Sequence, residues 1–553
     1  MSCFGLDLGV GFAKVARTRH GGWLGPGGVP GASTVQTAMT YHSSGGMAIP
    51  PNGYPAELPR GTARCDGFPA FLGSPYSVDT VPAWQDKTPA GVTRDFLRCL
   101  LDEVVANDAD PLADPDDAAA PQPDLVVAVP PGPRTPYHVA GTEIQGALEA
   151  LGWQPKRLIA APVAALLWLR HRDPALAAAR RILVIDVGAG TAEFSLCTAI
   201  RGAIRVVDSV RVSGSAPEDY PVTLAELLVT ALASSSVSRE SQDRVRLWRA
   251  FESALGQDAA RERMDVALQQ AADDDRYGTA PALRFGGLRV TAKDMLEATE
   301  PLAQRLLSAL AELFDRQEDS TWRGFRPAAN AGDQVILLGG LTVLRPVRTA
   351  LLSVLGLDPG CLDNVAGHGE TGKPAGLHWP TGRDLTASVA RGAALLAAGQ
   401  ADPGDRYPHG LQLVVHRQVR AAIVAERLSL ATPGSIKLEV DGTEYLIRID
   451  QGGEGYPVTI TVPPTAGRDV PGPYGAAPVP VEIVRGDGDV IPASFRPAPP
   501  PAPGRYWVGV RGGGDGPAVV LAPAPSGRPL TYHLADLGDT VTDAAESPGE
   551  ATE

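Results

Sequence analysis

The sequence predicts an α/β fold of two similar half-domains facing one another across a cleft, followed by an all-β C-terminal region. Three observations predict it. A strand, an Asp-x-Gly-x-Gly turn and a second strand occur at Phe4 to Val15 and again at Arg180 to Thr198, with Asp7 and Asp186 about 180 residues apart. A third strand, Gln334-Val-Ile-Leu-Leu, ends on the pair Gly339-Gly340. Beyond Gln400 helical periodicity stops, and short β-like runs follow one another between Gly/Pro turns.

The totals set the frame. With 553 residues, 44% of them hydrophobic, the chain can hold several cores, about three or four domain-sized units. A formal charge of −14 argues against nucleic acid or an anionic membrane as partner, because both need a basic face. No run of about eighteen apolar residues occurs, and Met1-Ser-Cys-Phe-Gly-Leu-Asp enters a strand with no basic flank or apolar h-region, so a cytoplasmic location is expected. Five cysteines, Cys3, Cys65, Cys99, Cys197 and Cys361, never fall in a C-x-x-C spacing, which speaks against a disulfide framework and a zinc site. Lysine is scarce, six in all, so Lys14 within the first turn pattern is informative.

In chain order, the first hairpin is followed by a glycine-rich loop over Arg17 to Thr34 and a strand over Val35 to Tyr41. Ser43 to Pro89 reads as short strands and irregular loops. Apolar residues at 96, 97, 100, 101, 104 and 105 predict an amphipathic helix from Thr93, and the aspartate-rich stretch 107–123 a solvated loop. From Leu125 to Thr198 the pattern is strand, helix, strand, helix, strand, turn, strand, which suits a half-domain with crossover helices. Two or three helices over Pro221 to Ala272, a strand near Leu283 to Val290 and a helix over Thr291 to Phe314, with Thr291 and Asp294 as its start signal, follow. Helices over Val343 to Leu355 and Asp384 to Gly399 close this part. The expected division is residues 1–178, 179–400 with a helical insertion at about 221–315, an all-β region 401–535 in one or two units split near Pro497 to Pro503, and an acidic, disordered tail 536–553.

A glycine turn has a chemical use. Because their glycines lack a Cβ, the turns Leu8 to Gly11 and Gly188 to Thr191 can close their backbone amides around a phosphate. Asp7 and Asp186 at the turn mouths are placed to hold Mg²⁺ through water, since that ion prefers hard oxygen and keeps its hydration shell. The alternative reading, two strand-end aspartates capping ordinary turns, stays open here.

Together with Leu125-Val-Val-Ala-Val-Pro-Pro, Arg157-Leu-Ile-Ala-Ala-Pro-Val-Ala-Ala and Ala387-Ser-Val-Ala-Arg-Gly-Ala-Ala-Leu-Leu, these motifs resemble, over residues 1–400, the actin, sugar-kinase and heat-shock chaperone superfamily. Within it the chain most resembles the DnaK-type heat-shock chaperones. The resemblance implies two actin-like (ribonuclease H-like) half-domains around ATP and Mg²⁺. Gly9, Val10 and Gly11 would face Gly188, Ala189, Gly190 and Thr191 across the phosphates, with Gly339 and Gly340 against the adenosine. Asp7 and Asp186 would hold the metal, and with Thr191 and Glu193 form the catalytic set. Glu193 stands where the family has aspartate. Under one alignment Glu262 keeps the glutamate of a Glu-x-x-Lys-Arg-x-x-Ser helix pattern on the adenosine side; an alternative register would place Arg261 or Arg263 near the base.

Several positions depart from the chaperones. Val10 and Gly11 replace threonines, Ala161 replaces a glutamate before proline, Asp265, Val266 and Gln269 replace Lys, Arg and Ser, and Leu341 replaces serine. The spacing Asp7-x-Gly9-x-Gly11-x-x-Lys14 instead resembles actin and the plasmid-segregation actins, whose lysine reaches the phosphates; a solvated lysine on the second strand is the alternative. The implied function is an ATP-binding, chaperone-like protein with slow Mg²⁺-dependent hydrolysis to ADP, coupled to an unfolded polypeptide or protein partner through the β region. A nucleotide-binding scaffold with little or no turnover is the alternative, and an actin-like filament protein the second. A sugar kinase is least supported, for want of a sugar-binding carboxylate pattern.

Overall fold

A mixed α/β chain with several sheets emerges from the computed structural model, which describes residues 2–19, 31–50, 60–108, 122–131, 137–200, 203–215, 221–235, 258–285, 288–317, 320–327, 329–330, 332–358, 376–380, 384–404, 409–419, 422–431, 436, 458–460, 481–484, 490–493, 495, 501–502, 504–513, 516–523 and 529–534. Packing divides it into two compact units, Met1–Asp402 and Pro403–Glu553.

The first unit begins with β1 (Ser2–Leu8), β2 (Phe12–Arg19) and β3 (Gly31–Gln36), then β4 (Ala38–His42), β5 (Met47–Ala48) and β6 (Thr62–Asp66). Helix α1 (Pro89–Asp108), β7 (Asp124–Val129), α2 (Tyr137–Ala150), β8 (Arg157–Ala160) and α3 (Ala161–Arg172) follow. Next come β9 (Arg181–Val187), β10 (Ala192–Ile200), β11 (Ala203–Val212), α4 (Leu224–Ser235) and α5 (Asp258–Asp273). The unit closes with β12 (Pro281–Phe285), β13 (Leu288–Thr291), α6 (Ala292–Asp315), α7 (Ser320–Arg323), β14 (Asp333–Leu338), α8 (Arg345–Val354), β15 (Leu377–His378) and α9 (Asp384–Ala397).

Two five-stranded sheets organise these elements, β3-β2-β1-β7-β8 and β11-β10-β9-β14-β15. Both have the same plan. Three antiparallel strands are joined by hairpins, and two further strands are added parallel to the first. The sequence explains the difference in connection: tight glycine turns join β1 to β2 and β9 to β10, whereas the parallel additions need crossovers of many residues.

Helices α3 and α9 lie between the sheets. Their side chains share one core with Cys3 and Val126 of the first sheet and Ile182, Val184 and Ile336 of the second. Residues Pro162 to Leu169 of α3 are all buried, as an apolar stretch without a polar face requires. Small residues let the two helices approach closely: a Cβ on Gly392 of α9 would come within 1.7 Å of the Ala164 carbonyl oxygen. Helix α6 begins with the expected capping box, Thr291 Oγ1 accepting from the Asp294 amide while the Asp294 carboxylate accepts from the Thr291 amide.

Three details differ from the sequence reading. The strand expected near 283–290 is a hairpin, β12 with β13, because Gly286-Gly287 interrupts the run. Strand β3 starts at Gly31, inside the expected loop, where pairing with β2 supplies what local propensity does not. Strand β11 has no counterpart among the expected elements, and it completes the second sheet against β10. Expected segments 435–440, apart from Ile436, 445–449, most of 107–123 and the tail 536–553 fall outside the described residues.

In the second unit the described strands are β16 (Gly410–Val419), β17 (Ala422–Ala431), β18 (Val458–Ile460), β19 (Val481–Val484), β20 (Val490–Pro492), β21 (Gly504–Gly513), β22 (Gly516–Pro523) and β23 (Leu530–His533). They form two four-stranded sheets, β17-β16-β19-β20 and β18-β21-β22-β23, and side chains of both, among them Leu413, Ile483, Val508 and Leu521, share one core. The buried Glu482 is offset by Arg427 and Gln412. Among the described residues of the whole chain, no helix is long and apolar enough to cross a membrane.

The helix crossing gives a direct test. Gly392→Val should destabilise the first unit by about 1–3 kcal/mol or more through overpacking against α3, read as a fall in the denaturation midpoint.

Candidate functional site

The ends of β1, β7, β9 and β14 converge on one cavity of about 370 Å³. Asp7, Gly9, Val10, Gly11 and Lys14 of the first hairpin line it, with Asp186, Gly188, Ala189, Gly190, Thr191 and Glu193 of the second and Gly339 and Gly340 after β14. Every residue the sequence assigns to the site except Glu262 is therefore brought together. Glu262 belongs to α5, and its side chain lies outside the described residues.

Strand register places the charges. Asp7 and Lys14 are cross-strand partners, with Lys14 Nζ 3.0 Å from Asp7 Oδ2 and each side chain 17% exposed. In the second sheet Asp186, Glu193 and Arg211 stand in one row across β9, β10 and β11. Arg211 also lines the cavity. Lys14 is thus neither solvated nor remote: its ammonium sits on Asp7 and over the turn, where a Cβ on Gly9 would come 2.9 Å from Nζ.

The two turns meet face to face. A Cβ on Gly190 would lie 2.2 Å from Val10 Cβ, and one on Gly11 would lie 3.1 Å from the Cβ of Ala189. Glycine at 190 is what allows Val10 its place. The turn carbonyls are engaged by protein donors: the Thr37 hydroxyl and amide donate to Gly9 and Gly11, and the Ala225 and Leu224 amides at the start of α4 donate to Ala189 and Gly190. Because a trans peptide directs C=O and the next N–H oppositely, the amides of Val10, Gly190 and Thr191 point away from those partners, and all three residues line the cavity.

Burial dominates the electrostatics. It pushes the Asp186 carboxyl up to about 6, with Lys14 pulling down and Asp7 pushing further up. Glu193 is pushed up to about 8, again first by burial, against the opposing pull of Arg211 and with Asp186 and Asp7 adding repulsion. Glu193 Oε1 is buried and has no hydrogen-bond partner among the described residues. Among the described residues no three His, Cys, Asp or Glu side chains close into a direct metal-ligand set.

Gly339 has φ +88°, and a Cβ there would fall 2.4 Å from Asp186 Oδ1. The glycine pair therefore touches a carboxylate of the site, where the resemblance implied adenosine alone. On α5, Asp265 is paired with the buried Arg348 at 2.7 Å, and Arg348 also lies over the Trp379 ring. Sequence reasoning missed Arg211, Thr34, Ala128 to Pro130 and the first turn of α9, Leu385 to Val389, all of which line the cavity. Arg211 carries a signal only in retrospect, since its placement depends on a register that shifts at Leu196/Cys197.

No protein-family model matches this chain, and no curated protein matches it.

The raised carboxyls have a sign that can be measured. Glu193 keeps its proton in the folded chain up to about pH 8 but loses it near 4.5 when unfolded, so its protonation contributes stability that is present at low pH and lost as pH rises through that window. Asp186 acts alike between 3.8 and about 6. Glu193→Gln should flatten the stability profile above pH 6 and stabilise the ligand-free chain near pH 9 by on the order of a few kcal/mol, measured by denaturant unfolding across pH.

Proposed function

We propose that the first unit is an ATP-binding, slowly hydrolysing, Mg²⁺-dependent unit similar to that of the DnaK-type chaperones, built from two actin-like half-domains. One observation carries this reading: two sheets of identical strand plan each deliver the turn and terminal carboxylate of their first hairpin to the same cavity. That cavity lies outside the carboxyl ends of parallel strands, where open α/β sheets place ligands.

The residues present fit the ligand. Amides of Val10, Gly190 and Thr191, with Lys14, are donors suited to a polyphosphate. Asp7 and Asp186 offer hard oxygens from opposite sides without a closed ligand set, the arrangement a hydrated Mg²⁺ takes. When bound, Mg²⁺ would neutralise phosphate charge and lower the cost of ionising the buried carboxyls. The Thr191 hydroxyl would donate to the terminal phosphate. Glu193, whose proton burial holds up to about pH 8, would orient an attacking water and take its proton only once bound Mg²⁺ had lowered that affinity.

Among its described residues the second unit holds strands and no helix, in keeping with an all-β region, and to that region we assign the binding of an unfolded polypeptide or protein partner. A second reading, a nucleotide-binding scaffold with little turnover, is favoured by Val10 filling the space against Gly190 and by Ala161 at the cavity wall.

Calorimetric titration with ATP, ADP and AMP, each with and without Mg²⁺, should show Mg²⁺-enhanced binding of the di- and triphosphate; absence of binding by all three removes the proposal. Single-turnover hydrolysis then separates the slow ATPase from the scaffold. Asp186→Ala should weaken Mg²⁺-dependent binding about 10- to 100-fold, and an unchanged affinity and rate would take Asp186 out of the metal site. Lys14→Ala should weaken ATP more than adenosine, an outcome that equal losses for both ligands would contradict.

A further inference from the structure

Beside Glu193, adjoining the large cavity, lies a second and much smaller space. Ala161 and Pro162 at the start of α3 and Glu193 and Ser195 of β10 border it, with Val184, Asp186, Leu338 and Val389 completing the lining. About 10 Å³ of it is open to the centre of a water molecule, the room that one water needs.

Two atoms of this lining, Glu193 Oε1 and Ser195 Oγ, are buried without a hydrogen-bond partner among the described residues. Ser195 is only 1% exposed. Standing two residues apart on one strand, they project from the same face of the sheet. Buried polar atoms are seldom left unpaired, because the lost hydration is not returned. Asp186 also borders the space, but among the described residues no three His, Cys, Asp or Glu side chains close into a metal-ligand set, whereas a water needs only two to four polar partners.

We infer that a single internal water occupies this space, accepting from Ser195 Oγ and donating to Glu193 Oε1, and that Ser195 is thereby a positioning residue for the Glu193 carboxyl. The small side chain of Ala161, which borders both the large cavity and the small one, makes room for it. The water site stands on the geometry of the ligand-free protein, while its bearing on turnover rests on the nucleotide reading.

Crystallography of the ligand-free full chain, at a resolution that shows ordered water, tests the inference without nucleotide. The wild type and Ser195→Thr, which keeps the hydroxyl, should show a water within about 3.2 Å of both Glu193 Oε1 and the residue-195 hydroxyl. Ser195→Ala should lose that water or swing the Glu193 carboxyl into another rotamer. Ala161→Val, which fills the space from the other side and leaves β10 untouched, should displace Glu193 in the same way should Ser195→Ala fail to fold. A dry space in the wild type, or a Glu193 carboxyl unmoved in both Ser195→Ala and Ala161→Val, would overturn the proposal. Either result is independent of whether ATP binds.

Discussion

Three carboxyl groups, Asp7, Asp186 and Glu193, are held around one largely enclosed cavity with Lys14 and Arg211 as the cations that line it. Repulsion of this kind is tolerated only where the fold fixes each group in place, and here strand register does the fixing. Asp7 is tied to Lys14 across one hairpin, while Asp186, Glu193 and Arg211 are aligned across three strands of the other sheet. Burial is the first cause of the raised proton affinity at Asp186 and Glu193, opposed by the nearby cation in each case and reinforced by the neighbouring carboxylates. A further positive charge entering the cavity would be met by groups already placed for it.

The distance between the sheets is set elsewhere. Helices α3 and α9, packed through Gly392 against Ala164, hold the two sheets apart at a separation that only small residues permit. Gly5 of β1 shows the same closeness, since a Cβ there would strike the Ala390 carbonyl of α9 at 2.1 Å. The turns can touch at Val10 and Gly190 because the helices behind them fit so closely. Packing in the middle of the unit thereby governs the geometry at its edge.

Much of this was legible in the sequence, and the reason is local. Asp7, Gly9, Gly11 and Lys14 lie within one hairpin, as do Asp186 to Glu193, so a short stretch of chain specifies both the turn and its charges. Gly339 was visible because positive φ beside a carboxylate leaves little choice but glycine. Arg211 was not, because its neighbour Glu193 is fixed only after β11 pairs with β10 across a register shift. Nor could spacing reveal that Lys14 is held by Asp7, or that the Gly339 backbone rests on Asp186, since both are facts of tertiary approach.

The meeting of Val10 with Gly190 bears on how the site would be used. Branched Cβ carbons are stiff, so Val10 fills its place against Gly190 without rotamer freedom to yield. A polyphosphate entering between the turns would have to part them, and separating these apolar surfaces would weaken its binding. The partners of the turns limit where that motion can occur. Turn carbonyls on the first side are held by Thr37 and on the second by the start of α4, so each turn moves with its own sheet. Parting the turns then means moving one sheet relative to the other about α3 and α9, the helices whose core joins both. Ligand entry and the packing of the central helices are for that reason one problem in this protein, and Ala161, at the start of α3 and in the wall of the cavity, stands where the two meet.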